Sequence, residues 1–474
     1  MDRRKRMYRQ LVPLDEARST VLARFSSLHT TVETVPVREA RARVLAAPVR
    51  ALRSVPAYHA AAMDGLAVRA RDTFGAQADQ PRILDGAAVR PVNTGEPLPA
   101  EFDAVVMIEN AEQVDAGWEL RAAAFPWQHV RKAGEDIVRG EILLPARHAV
   151  TPVDQGALLA AGITAVEVFA RPRLLILPTG NEVVVPEQAP DPLEPGQILE
   201  VNGPMLVSMA AECGAEATLG SPVRDDRQAL QQAVTQGLGQ GFDLVLVIAG
   251  SSAGALDFTP ELLQELGDLF THGVAVMPGK PTLLAEVQGR PVIGIPGYPV
   301  SAIVCFRELV APLLAALQGT VATSPAQVSA VLARKLPSKL GLEEHVRVIA
   351  GRIGDEVVAL PLAGGAGAMT SVTRADGILR IPQQVSGYSQ GDTVQIELLV
   401  PRRTLDDKLL VIGSHDLCIT CWPASSSRPR RAASASRRAT WAARVGCWPW
   451  PVARPTSRAA TCWTRRPAST TTPT

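Results

Sequence analysis

The sequence predicts an α/β multidomain chain. It comprises a doubly wound α/β domain, an inserted mostly β domain, a helical/extended linker domain and a small C-terminal β barrel. Three observations lead there. Residues 173–319 alternate aliphatic runs with helical spacing, the pattern of parallel strands joined by crossover helices. Residues 59–137 carry short alternating runs broken by turn residues, which reads as β structure. The length of 474 residues exceeds what one core supports, so several domains are expected.

The elements follow in order. Residues 14–28 have helix spacing, with Asp15 and Glu16 near the start. Residues 34–45 read as a strand and then a short helix, and 151–161 read as a helix that returns to pack with them. The linker domain is therefore expected at 1–50 and 140–172, around an inserted β domain at 51–139. The α/β domain is expected at 173–320. Its strands are predicted at 174–178, 216–223 and 243–249, and its helices at 203–213, 227–238, 260–269 and 301–317. Short β-branched runs at 346–350, 357–360 and 393–399 predict the barrel, at 321–405.

Three blocks within the α/β stretch break from aliphatic runs into small residues. They are Gly241-Phe-Asp-Leu-Val-Leu-Val-Ile-Ala-Gly-Ser-Ser-Ala-Gly254, Met277-Pro-Gly-Lys-Pro281 and Ile295-Pro-Gly-Tyr-Pro-Val-Ser301. Buried parallel strands that end in closely approaching loops look like this. Three such loops at one sheet edge would form a shelf of unblocked backbone N–H groups suited to a phosphate or another oxyanion. Lys280 adds a point charge there, and Asp257 a carboxylate able to hold a divalent metal.

Composition narrows the class. Hydrophobic residues make up 46% and charged residues 20%, as in globular proteins. No uninterrupted run of about 18 apolar residues occurs, so no membrane span is expected, and the expected location is cytoplasmic. Only Cys213 and Cys305 precede residue 418, both in apolar helical patterns, so a disulfide framework is not expected. After Leu417 the chain has ten Arg and no Asp or Glu, leaving a body of 38 basic and 47 acidic residues. Such an acidic body is a poor nucleic-acid binder.

From Cys418 the chain is rich in Arg, Ala, Ser, Thr, Pro, Trp and Cys, with no period of either kind. Disordered arms are poor in Trp and Cys, so residues 406–474 read as an aberrant, disordered or out-of-frame tail. Residues 407–417 look like the first strand and turn of a further α/β domain.

Acidic residues recur beside turns, at Asp64, Asp136, Glu182, Asp225 and Asp257. A turn carboxylate usually caps its own backbone. Asp64 stands apart because it lies between Ala-Ala-Met and Gly-Leu-Ala-Val, where burial of an idle charge would be costly.

In chain order, Ala62-Met-Asp-Gly65, Asn93-Thr-Gly-Glu-Pro-Leu-Pro99, Asp103-Ala-Val-Val-Met107, Gly134-Glu-Asp-Ile137, Pro178-Thr-Gly-Asn-Glu182, Val223-Arg-Asp-Asp226, Pro278-Gly-Lys-Pro281 and Pro296-Gly-Tyr-Pro-Val-Ser301 resemble the motifs of the molybdopterin molybdenumtransferases. The resemblance covers about residues 10–405. It implies a Mg2+-dependent enzyme that inserts molybdate into adenylyl-molybdopterin with release of AMP. It also implies a homodimer of four-domain subunits, with the active site between the α/β domain of one and the β domain of the other. Molybdopterin adenylyltransferase and molybdoenzyme apoproteins are the implied protein partners. Carried over by position, it implies catalytic roles for Asp64, Thr94, Asp136, Glu182, Asp225 and Asp257, with Thr94 near the oxyanion and Glu182 and Asp257 as metal ligands. Ser251, Ser252, Gly254, Lys280, Gly297, Pro299 and Ser301 would hold the pterin phosphate and adenylate.

The sequence also departs from the family. Ala249-Gly-Ser-Ser-Ala-Gly254 replaces its Ser-Gly-Gly-Val-Ser loop, Tyr298 replaces an Asn, and Met277 stands where a Lys is often found. These changes resemble a subgroup fused to a periplasmic-binding-protein-like domain. Two other readings are weighed: adenylyl transfer to molybdopterin, which needs no β domain, and a catalytically impaired molybdate or molybdopterin sensor or scaffold.

Overall fold

Alternate residues along the central strands face opposite ways, and both faces are covered. In the computed structural model, which describes residues 11–249, 258–408, 410–413 and 440–443, Leu174 and Ile176 of strand Arg173–Pro178 enter one core while Leu175 and Leu177 enter another. Strand Leu244–Ala249 does the same, with Leu244 and Leu246 on one side and Val245 and Val247 on the other. Strands with two buried faces give continuous aliphatic runs, which explains their legibility. The sheet runs Glu216–Leu219, Arg173–Pro178, Leu244–Ala249 and Arg290–Pro296 in parallel, followed by Leu283–Val287 and Asp268–His272 antiparallel. Helix Asn202–Glu212 and the long helix Pro299–Leu317 supply the first core, and Arg227–Gly239 and Thr259–Leu266 the second.

The chain divides into two units, one of residues 1–28, 171–317 and 321–474, the other of 29–170 and 318–320. Helix Leu14–Arg24 was expected with the linker but belongs to the α/β unit, because Leu14, Ala17 and Val21 complete its first core. Pro299–Leu317 is long and apolar enough to cross a membrane, yet it packs as a core helix, burying Ala302, Val304, Leu309, Leu313 and Leu317.

The barrel belongs to the same unit. Strands Glu343–Ile353, Glu356–Pro361, Gln327–Leu332, Thr393–Leu398 and Gly377–Ile381 pair in that order, and the last closes on the first. Strand Val276–Met277 adds to its edge through Glu343–Glu344. Lys408 and Asp376 form a buried ion pair just past the barrel. Residues 406–408, expected in the tail, are instead packed on the barrel, where Asp406 ends helix Arg403–Asp406 and accepts a hydrogen bond from Arg352 while Lys408 is buried. The rest of the tail reading falls outside the described residues, except that Thr440–Ala443 pairs with Leu410–Gly413.

An ionic network joins the barrel to the α/β domain. The long helix widens over Phe306–Val310 into a π turn that carries Arg307 and Glu308. His345, 2% exposed, lies 3.0 Å from Glu343 and 4.0 Å from Glu308. Arg380 reaches Glu343 at 2.7 Å, Glu397 at 3.4 Å and Glu308 at 3.5 Å. Arg307 adds Glu397 at 3.2 Å, and Arg18 adds Glu308 at 3.6 Å. Burial works against ionisation of Glu343, but hydrogen bonds from His345 and Arg380 outweigh it and hold the carboxyl at about 2, against an ordinary 4.5.

A folded value below the unfolded one stabilises above about pH 4.5 and is lost as pH falls towards 2. Denaturant unfolding between about pH 5 and pH 2.5 should therefore show a loss of about 2–3 kcal/mol from this group. A Glu343→Gln variant should have a shallower pH dependence in that window; an unchanged slope would contradict the assignment.

The second unit is built by antiparallel pairing. Val32–Pro36 pairs with Ala165–Phe169, and Val49–Arg50 with Ile142–Leu144. Helix Pro152–Ala160 begins with a capping box in which Thr151 and Asp154 satisfy each other's backbone. In the inserted part, Gly65–Val68 lies between Val89–Val92 and Ala104–Met107. A Cβ on Gly65 would lie 2.0 Å from the Val106 carbonyl oxygen, so only glycine allows this approach. That contact places Asp64 at the mouth of the strand.

Candidate functional site

In the β unit, Asp64 and Thr94 form one device. Asp64 Oδ1 accepts the Thr94 backbone N–H at 2.6 Å and its hydroxyl at 2.9 Å. The backbone bond and then the hydroxyl bond lower the Asp64 pKa below its ordinary value, so the carboxylate is ionised at neutral pH. One expectation is corrected here. Asp64 is exposed, because it precedes the strand whose apolar residues are buried, and no desolvation cost singles it out. Both the N–H and the hydroxyl of Thr94 serve Asp64.

Asp136 is exposed on the turn after Gly134, whose N–H donates to Pro56 O at 2.9 Å. The Asp136 N–H donates to Val55 O at 3.0 Å, while its carboxylate accepts no hydrogen bond among the described residues.

The α/β unit gathers its site residues at the C-terminal edge of the parallel strands, where ligands of open α/β sheets bind. Beyond Pro178, Asn181 N donates to Asp225 Oδ2 and Asp225 N donates to Asn181 Oδ1, each at 3.2 Å. Asp225 thus has part of a structural job, joining two strand-end loops. Neighbouring Asp226 caps helix Arg227–Gly239 by accepting Ala229 N at 2.7 Å. Glu182 is exposed, with its carboxylate over Gly180.

The other part of this edge follows strand Arg290–Pro296. Pro299 opens the long helix at the position where a missing N–H costs nothing. Gly297 O accepts Asn202 Nδ2 at 2.7 Å. Asn202, 6% exposed, leaves its Oδ1 without a partner among the described residues. Gly279 packs against this helix, since a Cβ there would lie 3.2 Å from Cys305 Sγ and 3.9 Å from Ser301 O. Thr282 Oγ1 donates to Gly279 O at 2.7 Å and contacts Cys305. Burial pushes the Cys305 thiol up to about 12, so it is a packing group rather than a nucleophile. Half-buried Lys280 follows directly on this turn.

The expected shelf is smaller than the sequence suggested. The turn at 277–281 does not follow a strand of this sheet, because Val276–Met277 pairs with the barrel. Pro299 has no N–H, and Val300 N is taken by Ala366 O at 3.0 Å. Ser251, Ser252, Gly254 and Asp257 lie outside the described residues. Among the described residues no three His, Cys, Asp or Glu gather as a metal cage. Magnesium is commonly held by one or two carboxylates plus substrate phosphates, and exposed Glu182 fits that manner of binding.

Sequence reasoning missed Asn202, Asn181 and the Ala366 contact. Asn202 carried a faint signal, a polar residue beside glycine at a helix start; Ala366 carried none.

Asp64, Thr94 and Asp136 thus lie in the β unit, and Glu182, Asp225, Lys280, Gly297, Pro299 and Ser301 in the α/β unit.

Residues 12–162 match the MoeA N-terminal region (domain I and II), 175–316 a probable molybdopterin binding domain, and 329–399 the MoeA C-terminal region (domain IV). Molybdopterin molybdenumtransferase 2 of Mycobacterium tuberculosis is 32% identical over 77% of this chain and 94% of its own length. Molybdopterin molybdenumtransferase of Bacillus subtilis is 29% identical over 82% of this chain and 94% of its own. Two structures of the molybdopterin biosynthesis MoeA protein from Pyrococcus horikoshii align with TM-scores of 0.71 and 0.67, at 31% and 27% identity, over 83% and 82% of this chain and all of theirs. With all three regions present in order and near-complete coverage of these relatives, the chain belongs to the MoeA family of molybdopterin molybdenumtransferases.

Proposed function

We propose that this protein is a molybdopterin molybdotransferase, inserting molybdate into adenylyl-molybdopterin and releasing AMP. The observation that carries this reading is that the chain has both the strand-end edge of a molybdopterin binding domain and, in its β domain, an ionised Asp64 held by Thr94. An adenylyltransferase needs only the first.

The pterin phosphate and adenylate would lie along Gly297, Pro299 and Ser301, with Lys280 as the cationic contact. Ser251, Ser252 and Gly254 would extend that surface, and Asn202 fixes the Gly297 carbonyl beside it. Molybdate is an oxyanion and needs hydroxyl and N–H donors, a role that falls to Ser251 and Ser252 in this reading. The exposed carboxylates of Asp64 and Asp136 and the carboxylate of Asp225 handle protons and orient water around the phosphoanhydride. Magnesium, held by Glu182 with Asp257, would offset charge on the phosphate oxygens as AMP leaves. The same reading includes a homodimer, a cytoplasmic location, and molybdopterin adenylyltransferase and molybdoenzyme apoproteins as supplier of substrate and takers of product.

Incubating the purified chain with adenylyl-molybdopterin, magnesium and molybdate tests the reading. AMP release that depends on molybdate supports it, and binding without release would indicate a sensor or scaffold. Lys280→Ala should weaken substrate binding by about 1.5–3 kcal/mol, the scale of a hydrogen bond to a charged group. Unchanged affinity in a direct titration would remove Lys280 from the site.

A further inference from the structure

The β unit carries an aromatic cluster that the reading above does not use. Trp127 is 39% exposed, and its indole centroid lies 4.8 Å from that of the His59 imidazole, with the planes at 49°. Lys132 Nζ sits 5.2 Å from the same indole centroid. His59 is held in place, because its Nδ1 accepts the Ala133 N–H at 3.0 Å. Tyr58, next to His59 in the chain, and Phe125, two residues before Trp127, are also exposed.

The backbone beneath it is unusual. Trp127 has φ of 67° and His129 of 54°, a left-handed region that glycine enters freely and bulky residues rarely do. The turn is held there by Trp127 N donating to Asp103 O at 2.6 Å and Val130 N donating to Trp127 O at 3.3 Å. A turn with only a structural task would be met more cheaply by glycine. A tryptophan held in this conformation and still 39% exposed points to a use for the ring.

Its neighbours say where that use lies. Tyr58 Oη donates to Gly95 O at 3.3 Å, directly after Thr94, while adjacent His59 touches Trp127. His129 O accepts the Ala62 N–H at 2.8 Å, two residues before Asp64. Lys132 leads into the turn that ends at Asp136, its N–H donating to Glu135 at 2.9 Å. One dipeptide, Tyr58-His59, therefore links the indole to the Asp64–Thr94 pair.

We propose that Trp127, backed by His59 and Lys132, is a stacking platform for a planar nitrogen heterocycle of the substrate, beside Asp64 and Thr94. This rests on the molybdotransferase reading and makes Trp127 a specificity-determining residue. The ring is either the adenine or the pterin, which share this chemistry. The Lys132 ammonium on the same platform suits a ring that carries phosphate.

Trp127→Gly and Trp127→Phe test it in the full chain, because glycine takes the backbone conformation without strain. The Gly variant should raise KM for adenylyl-molybdopterin about tenfold with kcat little changed, and Phe should restore most of the loss, as stacking on an aromatic ring predicts. Inhibition by added AMP separates the sources. A roughly tenfold weaker AMP inhibition in the Gly variant assigns adenine, and unchanged AMP inhibition with a raised KM assigns the pterin. An unchanged KM in an active Gly variant overturns the platform alone. So does equal impairment by Gly and Phe, or a change in oligomeric mass, which would make the cluster a protein contact. A wild-type chain that releases no AMP overturns both readings.

Discussion

Asp64→Asn is expected to slow molybdate-dependent AMP release by roughly a hundredfold or more, the scale for losing a group that stabilises developing charge. The change is nearly isosteric and the residue is exposed, so the far-ultraviolet spectrum and unfolding midpoint should match those of the parent. Removing the hydroxyl with Thr94→Val should have a milder effect of a different kind. One of the two bonds that hold the Asp64 pKa down disappears, so that value rises back towards 3.8 and the acid limb of the pH–rate profile moves to higher pH. An Asp64→Asn variant that turns over normally would remove Asp64 from the reaction and, with it, the β unit's part in the chemistry.

Arg380→Met should destabilise the α/β–barrel unit by about 3 kcal/mol, at the lower end for breaking a buried ionic network because Arg380 is partly exposed. The cost arises from what remains. Glu343, Glu308 and Glu397 lose a shared counter-charge at 2.7, 3.5 and 3.4 Å, leaving Arg18 and Arg307 as the remaining guanidinium partners. Denaturant unfolding followed by a probe of that unit measures it. A loss below about 1 kcal/mol would put the network in the class of surface ion pairs.

The parts of the fold written in local patterns were legible. The two-faced strands showed as aliphatic runs because both faces are buried, and the helix after Thr151 showed through its spacing. What escaped depends on distant partners. Val276–Met277 is too short to show a period, and its partner, Glu343–Glu344, lies 67 residues on. Helix Leu14–Arg24 has an apolar stripe that fits any core, and only the tertiary structure assigns it to the α/β sheet.

The site divides in the same way. The ordered motifs pointed to Asp64, Thr94, Lys280 and the 297–301 loop as candidates, but not to how their bonds are spent. Apolar neighbours made Asp64 look buried, yet burial in a strand belongs to the residues that alternate within it, and Asp64 stands outside. Nothing local shows that Val300 is capped by Ala366, or that Trp127 occupies a left-handed turn.

The measurement closest to the central claim is AMP release from adenylyl-molybdopterin by the purified chain with magnesium, with and without molybdate. The account predicts release that rises with molybdate in the parent protein and falls about a hundredfold in Asp64→Asn. Release that is indifferent to molybdate, or tight substrate binding with no release at all, would contradict it.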